Sequence, residues 1–193
     1  NGETGTGKTE ALLEFTKNDL ELIKYIRLSK TMRVIDLEKK IIQNYSKKSP
    51  YIPLKTMKGF LIWFKDFLKK NKKKHLIIFD NASLLSLAQI RVINDLNELT
   101  HRQLGIVLSG SNVLFKNLNK WEHIDKRKNV PNFYKNINRI ITLRPLTKKE
   151  IKYICESYND IYIMNNIEEF LSLKSIGNLI KSINNYIGKK NKV

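Results

Sequence analysis

Gly2-Glu3-Thr4-Gly5-Thr6-Gly7-Lys8-Thr9 satisfies the spacing G-x-x-x-x-G-K-[ST] at every fixed position. The chemistry of that spacing is phosphate binding. Gly5 and Gly7 let the backbone turn so that successive N–H groups point inward, at the positive end of a helix that begins near Lys8. Lys8 would reach β- and γ-phosphates, and the Thr9 hydroxyl is of the kind that holds magnesium in such loops. Ala11, Leu12 and Phe15 follow at helical spacing, as a loop leading into a helix requires. A chance glycine-rich turn is the alternative, and the Lys-Thr ending with an apolar helix behind it argues against one.

A second constellation is His75-Leu76-Ile77-Ile78-Phe79-Asp80, an apolar run that ends in an acid. Such a run predicts a central parallel strand delivering a carboxylate to magnesium, with Asp80 as the ligand. Asn81 follows, where hydrolysing enzymes of this kind often carry a glutamate to orient or deprotonate the attacking water. An amide does not accept a proton in that way, so hydrolysis is expected to be slow or lost. Gly105 to Asn112 reads as another strand with a polar end. There Ser111 or Asn112 would either touch the γ-phosphate or its water, or form a turn without ligand contact.

The elements that must position these residues alternate between strand and helix. Only Asn1 precedes Gly2, so the strand that ordinarily leads into a phosphate loop, central to the sheet, is expected to lie outside this sequence. Leu20 to Leu28 suits a strand, and Val34, Leu37, Ile41 and Tyr45 mark a helix. Ser46 to Pro53 reads as a loop. Leu54, Met57, Phe60, Leu61, Phe64 and Leu68 recur at helical spacing, and the run Lys69-Lys70-Asn71-Lys72-Lys73-Lys74 closes that helix. The lysines complement the helix dipole and form either a solvated face or a binding surface. Ser86 to Leu99 predicts an amphipathic helix. Lys116 to Tyr134 predicts a short helix and a mobile loop tucked onto the core by Trp121 and Phe133. Asn138 to Leu146 predicts a final strand, and Thr147-Lys148-Lys149-Glu150 a capping box that starts a helix directing Ile151, Ile154, Cys155 and Tyr158 inward. Two further helices follow, one with Ile167, Phe170 and Leu171 and one with Ile176, Leu179, Ile180, Ile183 and Ile187. The expected architecture is α/β, a parallel sheet with helices on both faces over 1–146 and a small helical lid over 147–193.

Composition bounds the partners. The 193 residues carry 36 Lys and Arg against 18 Asp and Glu, a formal charge of +18. The resulting positive field suits an acidic partner such as nucleic acid, although a composition rich in Lys, Asn and Ile is also what coding bias produces. The single Cys155 excludes an intrachain disulfide and fits inert core in a reducing compartment. No apolar run approaches the roughly 18 residues of a membrane span, and no signal-peptide pattern opens the sequence, so a cytoplasmic setting is expected. His101 and His123 lack metal-ligand spacing.

Taken in order, the phosphate loop, the strand ending in Asp80, the strand ending in Ser109-Gly110-Ser111-Asn112, the segment Arg139 to Thr147 and the helical lid resemble the AAA+ P-loop ATPases. Within these the chain resembles the MuB and TnsC kind, ATP-dependent target-DNA adaptors of transposition. The resemblance covers nearly the whole sequence. It rests on the Gly2-Glu3 opening, on Gly110-Ser111 as a sensor turn, on Arg139 before the last strand and on Gly177-Asn178 in the lid. It implies ATP and Mg2+ as ligands, double-stranded DNA bound through its backbone, a transposase or other protein partner, and a homo-oligomer formed with ATP. It also implies nucleotide contacts from Asn178 and Lys181, and an Arg139 that acts on a neighbour's γ-phosphate; a local pairing of Arg139 with a carboxylate at the sheet edge is the alternative. The lid arginine of relatives is absent, with Ile180 and Lys181 in its neighbourhood. That departure and Asn81 both weaken hydrolysis rather than binding. A secretion- or plasmid-associated ATPase, or a degenerate module that holds nucleotide as a structural ligand, remain alternatives.

Overall fold

The computed structural model describes residues 1–46, 56–100, 103–124, 136–173 and 175–190. Its elements are α1 (Lys8–Thr16), β1 (Ile23–Arg27), α2 (Val34–Tyr45), α3 (Met57–Asn71), β2 (His75–Asp80), a 3-10 turn (Ala82–Leu84), α4 (Leu87–Thr100), β3 (Leu104–Leu108) and α5 (Asn112–Ile124). Four further helices follow, α6 (Lys148–Ser157), α7 (Ile161–Asn165), α8 (Ile167–Phe170) and α9 (Ile176–Lys190). They divide into two compact units, Ala11–Ile140 and Asn1–Glu10 with Ile141–Val193.

The larger unit is built on a parallel sheet in the order β1-β2-β3. Parallel neighbours need crossovers, which the helices between the strands supply. The register pairs Tyr25 with Ile78 and Arg27 with Asp80 on one side of β2, and Ile78 with Val107 and Phe79 with Leu108 on the other. Ile77 and Phe79 join Leu37, Ile41, Phe60, Phe64, Ile90 and Ile93 in the core, while Ile78, pointing to the opposite face, is also buried. Burial on both faces explains why β2 reads as an uninterrupted apolar run rather than an alternating one. Thr56 caps α3 by accepting from the Gly59 N–H at 3.2 Å, and Lys72 ends it in the left-handed conformation.

In the smaller unit, α6 begins at the expected capping box. The Thr147 side chain accepts from the Glu150 N–H, and the Glu150 carboxylate accepts from Thr147 while receiving both arms of Arg144 at 2.8 and 2.9 Å. The guanidinium and the Thr147 donors hold the Glu150 carboxyl down at about 2. Ile151, Cys155, Ile163, Phe170, Leu179 and Ile183 form a separate core. Burial pushes the Cys155 thiol up, in keeping with an inert core cysteine.

Three expectations need correction. The segment 138–146 forms no ladder strand: Leu143 makes an isolated parallel bridge with Gly2, backed by Leu143 N–H to Asn1 O and the Asn1 amine to Ile141 O. An isolated bridge is not a strand, because a ladder needs successive partners on both segments. The strand expected over 105–112 ends at Leu108, and α5 starts at Asn112 rather than Lys116. The helix expected behind the loop is present as α1, with Phe15 48% exposed on it. Tyr158 caps α6 at its exposed end rather than entering the core. Trp121 does pack against the core, whereas most of the Ser46–Pro53 loop, His101 and Phe133 lie outside the described residues.

Candidate functional site

In the smaller unit, Gly5 and Gly7 adopt φ of +82° and +83°, the left-handed region that side chains disfavour. The loop bends through these two residues into the start of α1. Lys8 Nζ donates to the carbonyls of Gly2 and Glu3, both at 2.7 Å, and to Thr6 Oγ1 at 3.3 Å. Thr6 Oγ1 in turn donates to Glu3 O at 2.8 Å. The ammonium is therefore folded over its own loop, and no carboxylate among the described residues forms an ion pair with it. A cation held by neutral carbonyls at a helix N-terminus fits a phosphate group on charge and on donor geometry.

The same loop is tied to the start of α9. Ser175 Oγ donates to Gly5 O at 3.0 Å, and the Gly177 N–H donates to the same carbonyl at 3.0 Å. Ser175 also caps α9 by accepting from the Asn178 N–H at 3.4 Å. Gly2, Glu3, Thr4, Gly5, Thr6, Gly7, Lys8 and Thr9 are thus gathered beside Gly177 and Asn178, while Asn178 and Lys181 present exposed side chains on the first turns of α9. Ser175 was not singled out by the sequence, because a serine ahead of a helix reads only as a cap.

In the larger unit, Asp80 stands at the carboxyl end of β2 and is only 1% exposed. Tyr25 Oη donates to Asp80 Oδ2 at 2.8 Å. Carboxylate and hydroxyl oxygens are hard donors of the type magnesium takes, so Asp80 in the larger unit and the Thr9 hydroxyl in the smaller each suit such an ion by donor type alone. Asn81 has φ +59° and ψ +34°, left-handed backbone in which asparagine is one of the few tolerated residues. The amide at this position thus has a conformational reason independent of catalysis. Ser111 is bound locally: its N–H donates to Ser83 Oγ at 2.8 Å and the two hydroxyls lie 3.1 Å apart. A Cβ on Gly110 would meet Ser83 Oγ at 2.7 Å and Ser83 N at 3.0 Å, so glycine is required for this clasp between the two loops. Arg139 is exposed and forms no ion pair with a described residue.

Among the described residues no cluster of His, Cys, Asp and Glu suited to a metal occurs, and no helix is long and apolar enough to cross a membrane. A sequence model of the AAA domain family matches residues 1–118. Among solved structures the chain is similar to "Structure of the Aeropyrum Pernix ORC2 protein (ADPNP-ADP complexes)", with a TM-score of 0.55, 16% identity, and coverage of 80% of this chain and 43% of that one. The present chain thus spans less than half the length of that protein, and at this identity the likeness is one of fold. No curated protein matches the sequence.

Proposed function

The chain belongs to the AAA domain family, and on that premise we propose that it is a Mg–ATP-binding AAA+ module serving as a DNA-associated adaptor, of the kind used in transposition. The observation that carries the nucleotide reading is the loop itself, with two left-handed glycines and a lysine ammonium that has no carboxylate partner among the described residues, at the start of α1. Lys8 would exchange its carbonyl contacts for phosphate oxygens, which are better acceptors because they are charged. Thr9 and Asp80 are the proposed magnesium ligands. Magnesium, when bound, would neutralise charge on the phosphates. Asn178 and Lys181 are proposed to face nucleotide from a helical lid, 147–193, attached to a nucleotide-binding domain, 1–146. Ser111, in the polar loop after β3, would reach the γ-phosphate by exchanging its hydroxyl contact with Ser83.

The proposed DNA contact rests on the charge of +18 and on lysines, which act as mobile point charges toward backbone phosphates rather than as readers of base edges. A nucleotide-holding interaction module without turnover is the second reading, favoured by Asn81 and by Ile180 and Lys181 where an arginine is expected. Calorimetric titration of the full-length protein with Mg–ATP tests the first element: Lys8→Ala should abolish binding, and undiminished affinity removes the site. Binding to unrelated DNA duplexes over a salt series tests the second. Affinity should fall steeply with salt and hardly vary with sequence, and a flat dependence removes nucleic acid as a partner.

A further inference from the structure

We infer that Tyr25 orients Asp80 toward a divalent cation and that the Ser109 hydroxyl is held ready for that cation's water shell, an inference that rests on the reading of Asp80 as a magnesium ligand. The three residues come from or directly follow the three strands. Tyr25 pairs with Ile78, so Tyr25, Ile78 and Asp80 share a face, and the phenol reaches two positions along the sheet to give its hydrogen to Asp80 Oδ2 at 2.8 Å. That reach is about 6–7 Å along the strand direction, the span of a tyrosine side chain. Ser109 continues β3 by one residue, its N–H donating to Phe79 O at 2.9 Å. Strand alternation then puts its side chain on the face of Val107, Ile78 and Asp80.

The two hydroxyls differ in a way that assigns their tasks. The phenol is engaged with one carboxylate oxygen and so anchors that oxygen. Ser109 is 6% exposed, and its Oγ has no hydrogen-bond partner among the described residues. A buried hydroxyl without a partner is unfavourable unless a ligand or water satisfies it. Magnesium keeps several of its waters and demands near-octahedral geometry, so a preset carboxylate with a hydroxyl beside it, able to donate or accept, is what its hydrated shell fits. Ser111, the serine that the sequence singles out, has its polar atoms committed to Ser83 instead. Tyr25 and Ser109 are positioning residues, since neither need contact the phosphate.

The test is the Mg2+ dependence of ATP affinity in the full-length protein, titrated with and without EDTA, for Tyr25→Phe, Ser109→Ala and Asp80→Asn. Each positioning variant should need about tenfold more Mg2+ for half-maximal enhancement, with EDTA affinity unchanged. Ser109→Ala should do so while melting at the same or a higher temperature, because it deletes an unsatisfied buried group. A purely structural serine would leave the Mg2+ response alone. Retention of the native Mg2+ response by both variants, while Asp80→Asn loses it, overturns the inference but not the reading of Asp80. Retention by Asp80→Asn as well overturns both.

Discussion

The hydroxyl of Ser175 donates to the carbonyl of Gly5 at 3.0 Å across 170 positions of sequence, fastening the start of α9 to the phosphate loop. A Cβ on Gly5 would lie 2.0 Å from that oxygen, and at φ +82° it would be strained even in open space. Loop conformation and the α9 cap are thus one mechanical unit.

Gly5→Ala should therefore destabilise the protein by about 1–2 kcal/mol from backbone strain alone, with a further loss as Ser175 is displaced. Ser175→Ala should cost about 1 kcal/mol through its hydrogen bonds. The two changes should be non-additive in urea unfolding, the double variant being more stable than the sum of the singles predicts, because removal of the hydroxyl relieves the clash. Additivity would show that the Gly5 strain and the Ser175 hydroxyl are not coupled.

Asn81 makes two predictions that pull in opposite directions. Asn81→Glu should cost on the order of 1 kcal/mol of stability, since glutamate lacks the asparagine's tolerance of left-handed backbone. It should nevertheless raise ATP turnover, because positioning of a general base typically contributes about 10²–10⁴-fold. Steady-state phosphate release and thermal melting measure the two effects. Native turnover of roughly 1 s⁻¹ or more would contradict the idea that Asn81 limits hydrolysis.

His75 is 7% exposed, both ring nitrogens lack partners among the described residues, and its ring packs edge-on to Tyr45 at 5.3 Å. Burial, then the Lys24 charge, holds its pKa below the ordinary value of 6.5, with Lys73 acting in the same sense and Glu21 and Asp19 opposing. The folded state therefore binds the proton less readily than the unfolded one. Stability should be independent of His75 above about pH 6.5 and should fall on acidification below it, levelling once the folded-state pKa is passed. His75→Phe should remove that part of the acid sensitivity and raise stability at neutral pH by about 1 kcal/mol, because two unpaired polar atoms leave the core. Denaturant midpoints of the two proteins between pH 7.5 and 5, roughly the span around the unperturbed histidine value, decide it.

Arg139, exposed and without an ion pair among the described residues, is available to a second subunit. Arg139→Ala should leave ATP binding by the monomer intact and abolish ATP-dependent oligomers in sedimentation with ATP and DNA. A guanidinium that pairs with γ-phosphate charge would favour the ATP state over ADP. Oligomers that persist unchanged would make Arg139 a local residue.

Residue order carried the fold well where the signal was local. The apolar run of β2, the helical spacing of α3 and the Thr147–Glu150 capping box all matched, because strand, helix and cap each depend on neighbours within a few positions. The segment 138–146 looked equally strand-like, yet Leu143 forms one bridge, since a strand exists only where another chain segment runs beside it.

What the sequence by itself determined is the phosphate loop, the carboxylate at the end of a buried strand and the helices around them, since motif spacing and hydrophobic period are properties of adjacent residues. Only the tertiary structure decided that Tyr25 holds Asp80, that Ser83 takes up Ser111, that Ser109 is left with an unpaired buried hydroxyl and that Ser175 clasps Gly5. These hydrogen bonds join residues far apart in sequence through strand register and helix docking, and a hydroxyl's partner is set by where the backbone carries it, not by its own identity.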